Sequence, residues 1–285
     1  MIEGGLIAAR WLHYAAVTIL FGLAFFPIHA PWTPLTADDR RHRTMAASAA
    51  VTVLSGLAWF FFSTASMAGD MASALPTIPT VFFETDFGPI WAVRLLVALA
   101  LCAEPLRRTR RTQAVLAGLL LASLALTGHG HMNHGFLGWV HSANDAVHLL
   151  AAGAWLGALS AFLLLLRSAP QDPRTGRALS DFSTTGSIAV AAIVASGVGN
   201  ACFTLGSLTP LFSTLYGRLL LLKVGLFAGM VILAAFNRFR LVPAFKAMPG
   251  SAAVHRLRAH IVGEQLLGMV VLLIVAAIGT LDSAV

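Results

Sequence analysis

The chain has 285 residues, of which 58% are hydrophobic and only 11% charged, with a formal net charge of +7 and a mean hydropathy of +0.80. A water-soluble domain carries roughly a quarter charged residues. This mixture therefore excludes a solvated enzyme domain and a nucleic-acid-binding module, and implies an all-α, polytopic membrane helical bundle.

Eight apolar segments approach the roughly 20 residues needed to cross the hydrocarbon: residues 5–27, 46–68, 89–104, 112–128, 141–166, 184–206, 216–236 and 259–280. They are too long and continuous for barrel strands, and one integral-membrane domain over 1–285 is expected. The first is read as a span rather than a cleaved signal, because no clear small-residue cleavage site follows it. Pro105 and the basic run Arg107–Arg111 separate the short third and fourth segments.

Charge alternates between the loops. Loops 28–45, 105–111, 167–183 and 237–258 hold fifteen of the 19 Lys and Arg, whereas loops 69–88, 129–140 and 207–215 hold none. By the positive-inside rule the basic loops face the cytoplasm and both termini face outward, into the periplasm of a Gram-negative cell. The other four cations, Arg10, Arg94, Arg218 and Lys223, lie in outward portions of spans. Arg10 and Arg218 read as snorkelling residues. Lys223 and Arg94 lie deeper, where a charge is expected to face the bundle interior, with Asp145 as a candidate partner.

Five of the ten histidines fall in HGHMNHGFLGWVHSANDAVHLL, residues 129–150. At about 100° per residue, His141, Asp145 and His148 lie within roughly 60° of one another on the fifth span, with Asn144 beside them. A carboxylate at this depth requires a cation, a proton or a donor. Imidazole nitrogen suits copper, zinc, iron or nickel, and thioether sulfur favours Cu(I). Candidate ligands facing the same side are His13 on the first span, Met67 and Met71 at the outer end of the second, and His129, His131, Met132 and His134 in the loop. On the inward side, His260 and Glu264 form a candidate exit, for which an interfacial salt-bridge network is the competing reading. Cys102 and Cys202, each in an apolar run, form neither a disulfide framework nor a CxxC metal site.

HSANDAVHLLAAGAWLGAL (141–159), YGRLLLLKVGLFAGMVILAAFNRFRLVP (216–243) and FGPIWAVRLL (87–96) resemble, in this order, segments of the CopD/PcoD family of copper-resistance inner-membrane proteins. The resemblance implies an inner-membrane protein of copper homeostasis that moves copper from periplasm to cytoplasm, with a separate periplasmic CopC-like copper-binding partner. It carries His141, Asp145, His148, Trp155, Arg94, Lys223, Asn237 and Arg238 into the set of expected functional or structural residues. Trp155 is expected to pack, and Asn237 with Arg238 to fix the inward end of the seventh span.

The expectation is therefore a non-enzymatic membrane protein that captures Cu(I) or Cu(II) on its outer side and transports it. No Walker A or copper-ATPase signature occurs. Two readings compete with transport. A haem b held by axial histidines such as His13 with His141 or His148 would make the chain an electron carrier. Copper sensing or delivery would require binding without flux.

Overall fold

The computed structural model describes residues 1–102, 109–127, 135–205, 209–247 and 250–281, and the described residues are helical with short connections. The principal helices are α1 Ile2–His29, α2 Asp39–Ala68, α3 Ala74–Glu84, α4 Phe87–Cys102, α5 Arg110–Ala122, α6 Gly135–Ser168, α7 Pro173–Leu205, α8 Leu215–Phe236 and α9 Ser251–Ile278. Most outlast the apolar runs they contain. The polar flanks of 28–45, 167–183 and 237–258, expected as loops, supply the first turns of α2, α7 and α9, and residues 255–260 are helical.

Six of these elements are long and apolar enough to cross a membrane: α1, α2, α6, α7, the α8 element and α9. A seventh is reached if α3 and α4 count as one span, bent by 94°. The third and fourth of the eight expected spans, α4 and α5, do not reach that length on their own, for a geometric reason. The third predicted span is the 16-residue α4, about 24 Å long at ~1.5 Å per residue. The fourth is the 13-residue α5, extended by a five-residue 3-10 stretch, Ser123–Thr127. The outward loop 69–88 is corrected: it contains α3, with Leu75 and Phe83 exposed.

α1 is the central helix, packed against α2, α5, α6 and α9. It meets α6 backbone to backbone. A Cβ built on Gly22 would lie 2.0 Å from the Cα of Gly157, so the two backbones touch. Gly153 and Gly157 form a small-xxx-small stripe that admits such an approach, and Phe21 lies against Gly153. The core around this seam holds Val17, Leu20, Leu23, Leu120, Leu165 and Leu166, and runs through both halves of the chain.

Pro27 lies within α1 and lacks the N–H that would bond the carbonyl of Leu23 four residues earlier. Arg41 of α2 fills that place. Its Nε donates to Leu23 O at 2.9 Å and its guanidinium also donates to Gln113 Oε1 at 3.3 Å. Arg41 was expected in a basic loop, but it is 1% exposed and ties three helices together, while Arg40 and Arg43 stay exposed.

α8 continues through a π-helical turn, Asn237–Leu241, into the short helix Val242–Ala247. The wider turn inserts a residue into the α-helical phase, and Asn237 is buried there against α9.

Candidate functional site

His141, Asn144, Asp145 and His148 of α6 face α7, which answers with a polar row of its own. Asn200 Nδ2 donates to Asp145 Oδ1 at 2.8 Å. Asn144 Nδ2 donates to Asn200 Oδ1 at 2.6 Å and to the carbonyl of Ser196 at 2.8 Å. His148 Nδ1 meets Ser196 Oγ at 3.0 Å, and His141 stacks on Phe203 with ring centroids 4.7 Å apart. Ser196, Asn200 and Phe203 recur at helical spacing, so one stripe of α7 covers one stripe of α6. Each polar group in an apolar bundle thereby gains a partner it would otherwise lack.

The bonds also fix a tautomer. The single hydroxyl proton of Ser196 is directed to Ala192 O at 2.5 Å, so its contact with His148 is Nδ1–H donating to Oγ. Nε2 of His148 then carries the lone pair. His13 is arranged the same way on α1. Its Nδ1 lies 3.2 Å from the carbonyl of Thr52, which can only accept. Nε2 of His13 is therefore the basic nitrogen, and it is buried without a hydrogen-bond partner among the described residues. A ring N–H anchored by a protein oxygen, with the other nitrogen left basic, is the arrangement that orients imidazole toward a metal ion.

His13 nonetheless belongs to a different cluster. It packs against Trp59 and Trp91 at 5.5 and 5.9 Å. The Arg94 guanidinium lies over Trp91 at 4.8 Å, and Arg10 over Trp59 at 5.3 Å, a cation–π arrangement suited to a site away from water. Arg94 donates to Ser123 Oγ, to the Ser123 carbonyl at 2.7 Å and to Thr127 Oγ1. Its cation is thus held by carbonyl-end groups of the helical turn that ends α5, rather than by Asp145. Arg10 is corrected from a snorkelling residue to a member of this box, because the Trp59 ring and the burial of Nε and Nη1 hold it inside. Arg218 is exposed. Lys223 is the cation in electrostatic reach of both Asp145 and His148.

Met67 and Met71 are exposed at the end of α2 and in the turn beyond it. In that turn Asp70 accepts from the Ser73 backbone N–H and hydroxyl, which hold its carboxyl below its ordinary value. His129, His131, Met132 and His134 lie outside the described residues. Among the described residues no group of three or more His, Cys, Asp or Glu is close enough to hold a metal ion. His13 and the α6 pair His148 and Asp145 are held by different helices: His13 is turned to α2, while His148 and Asp145 are turned to α7.

At the end expected to face inward, Glu264 is buried and accepts from Asn237 Nδ2, and His260 stacks on Phe236 at 5.2 Å. The salt-bridge reading gives way here to a hydrogen bond from a side-chain amide and a ring contact. Arg238 is exposed and donates to the Ser183 carbonyl and to Ser187 Oγ, fastening the π-helical turn to α7. Trp155 is buried edge-on against Phe227 at 5.7 Å. Residues that the sequence reading passed over complete each arrangement: Ser196 and Asn200 opposite Asp145, Thr52 and Trp59 at His13, and Ser123 at Arg94. Polar residues inside a predicted span, as in SGVGN (196–200), are the signal that was available for the first pair.

Two cavities open between α6, α7, α8 and α9. The one at the end expected to face outward, the outer cavity, of about 770 Å³, is lined by His148, Cys202, Lys223 and Met230 among apolar groups. The inner, of about 810 Å³, is lined by Ser183, Ser187, Asn237, Arg238, Lys246 and Glu264 among others.

Residues 1–139 match the family described as copper resistance protein D-like, N-terminal domain, and residues 176–278 match copper resistance protein D. Copper resistance protein D of Pseudomonas syringae pv. tomato is 34% identical, over 88% of this chain and 84% of its own length. The inner membrane protein YebZ of Escherichia coli is 32% identical over 97% of both chains. The copper transport protein CutJ of Bacillus subtilis is 32% identical over 83% of this chain, which spans 46% of that longer protein. No solved structure matches. With extended similarity at this level added to the multi-helix membrane bundle, the chain belongs to the copper resistance protein D family.

Proposed function

We propose that the protein binds copper at the periplasmic side of the bacterial inner membrane and carries it across, toward the cytoplasm. The observation that carries this reading is the α6–α7 polar row, which ends at His148 on the wall of the outer cavity. A bundle with only a lipid-anchoring role has no use for an imidazole anchored through Nδ1 in a row with a half-buried carboxylate. Copper in either valence is the cargo that fits an imidazole donor, and Cu(I) the one that also fits the thioethers of Met67 and Met71. His141, Asp145 and the loop histidines His129, His131 and His134 form the proposed capture region, with His13 as a further donor. Glu264 and His260 border the proposed exit. A separate CopC-like protein would deliver the metal. The haem b reading has less behind it among the described residues, where His13 and His148 are held by different neighbours.

Purified protein in liposomes should move copper inward faster than protein-free vesicles. His148→Ala should lose most of that flux, about tenfold if one ligand bond is removed from the route. Equal flux in protein-containing and empty vesicles, with the protein shown to be folded, would end the transport reading.

The same reading places both termini in the periplasm and lets α4 and α5 each cross. α5 and its 3-10 extension together reach about 30 Å at ~1.5 and ~2.0 Å per residue. In a Cys102→Ser, Cys202→Ser background, Glu3→Cys and Thr280→Cys should both react with an impermeant thiol reagent in cells whose outer membrane alone is permeabilised. Reaction from opposite faces would require an odd number of crossings and refute this topology.

A further inference from the structure

The two cavities between α6, α7, α8 and α9 have one lining residue in common, Trp155. The boundary between them falls at one level on all four helices. On α7 the outer cavity reaches inward to Ile193 and the inner one outward to Ala191. On α8 the corresponding pair is Met230 and Val231, and on α9 it is Gly268 and Glu264. The cavities are therefore stacked along the helix axes. The outer continues to Leu211, beyond the outward end of α7, and the inner to Lys246, beyond the inward end of α8.

A second asymmetry follows the same boundary. The outer cavity carries an imidazole, a thiol and a thioether, from His148, Cys202 and Met230, with the Lys223 ammonium beside them. The inner carries hydroxyls, an amide, a carboxylate and cations, with no sulfur and no histidine. Soft donors hold Cu(I) and oxygen donors hold it weakly.

We propose that Trp155 is the gate of a passage through α6–α9: its indole, set edge-on against Phe227, is the partition that closes a soft-donor outer vestibule from an oxygen-donor inner one. The proposal rests on the transport reading above and adds its route, its closing residue and the reason for release at the inner end. The ring is well suited to this role. It is 3% exposed, it is the residue that both cavities reach, and its only aromatic contact among the described residues is the edge contact with Phe227. A rotation of one side chain away from that edge would join the vestibules without moving the α1–α6 seam.

The test uses the full-length protein with Cys102→Ser, so that Cys202 reports the outer vestibule, and with Ala234→Cys to report the inner one. An impermeant thiol reagent is added to the face from which Cys202 reacts, and adducts are counted by mass. With Trp155 in place the protein should gain a single adduct. Trp155→Ala should lose the protection of the inner thiol and gain two, and Trp155→Phe should keep the single adduct. Phe227→Ala provides an independent opening from the opposite wall, should Trp155→Ala fail to fold. Two adducts with Trp155 intact, or one adduct in both folded alanine variants, would overturn the partition. Copper flux is measured on the same proteins. Adducts as expected with no flux in any of them would uphold the partition and count against the transport reading alone.

Discussion

Gly22→Ala and Gly157→Ala should each lose folded protein, by about 3 kcal/mol or more, at the upper end of what overpacking costs. An added Cβ at Gly22 would stand 2.0 Å from Gly157 Cα and 2.5 Å from its carbonyl carbon. At Gly157 it would stand 2.2 Å from Gly22 Cα and 3.0 Å from the carbonyl oxygen of Thr18. Backbone atoms cannot swing aside as a side chain can, so α1 and α6 must move apart along their whole contact. The loss is then dispersion summed over the seam, since lipid tails supply no hydrophobic drive to hold helices together. Gly225→Ala and Gly229→Ala are the control. They repeat the same spacing on α8 with open space around each, and should leave stability unchanged or raise it by about 0.5–1 kcal/mol through helix propensity. The fraction of monodisperse protein in detergent after stepped heating separates these outcomes. A Gly157→Ala protein as heat-resistant as its parent would show that the helices do not touch there.

That contrast marks what the sequence could and could not disclose. Both GAWLG (153–157) and GLFAG (225–229) carry the spacing for close packing, and nothing local distinguishes the one that meets α1 from the one that faces open space. The membrane class was legible because composition is a sum over the chain. The stripe of His141, Asp145 and His148 was legible because helical period places those residues within one helix. Asn200 as the partner of Asp145 was not, because it comes from another helix 55 residues away. His13 shows the same limit: its depth could be read from its place in α1, but its direction, toward Thr52 and Trp59, depends on which helices flank α1. The lengths of the third and fourth spans were the least legible, because a 3-10 turn after α5 and a 94° bend before α4 change length and direction without any change in hydropathy.

Arg41→Ala should be among the most damaging single changes, at about 3 kcal/mol, because it leaves a buried carbonyl and a buried amide oxygen without their donor. The deeper cause is Pro27. A proline inside α1 removes one helical N–H, and Leu23 O takes its hydrogen bond from another helix instead. The two residues must then be coupled, and the coupling has a sign. In the Arg41→Ala background, Pro27→Ala restores an N–H four residues after Leu23 and should recover about 1 kcal/mol, the net worth of one buried hydrogen bond. It should not recover the contact to Gln113, so the double variant stays below the parent. Arg41→Lys keeps the charge and loses the guanidinium fork, and should fall between the parent and Arg41→Ala because one ammonium cannot meet Leu23 O and Gln113 Oε1 with the same planar geometry. Thermal denaturation of the four proteins of the Pro27–Arg41 cycle measures the coupling directly. Strict additivity would mean that the carbonyl of Leu23 is satisfied some other way and that Arg41 is buried for a reason unrelated to the proline.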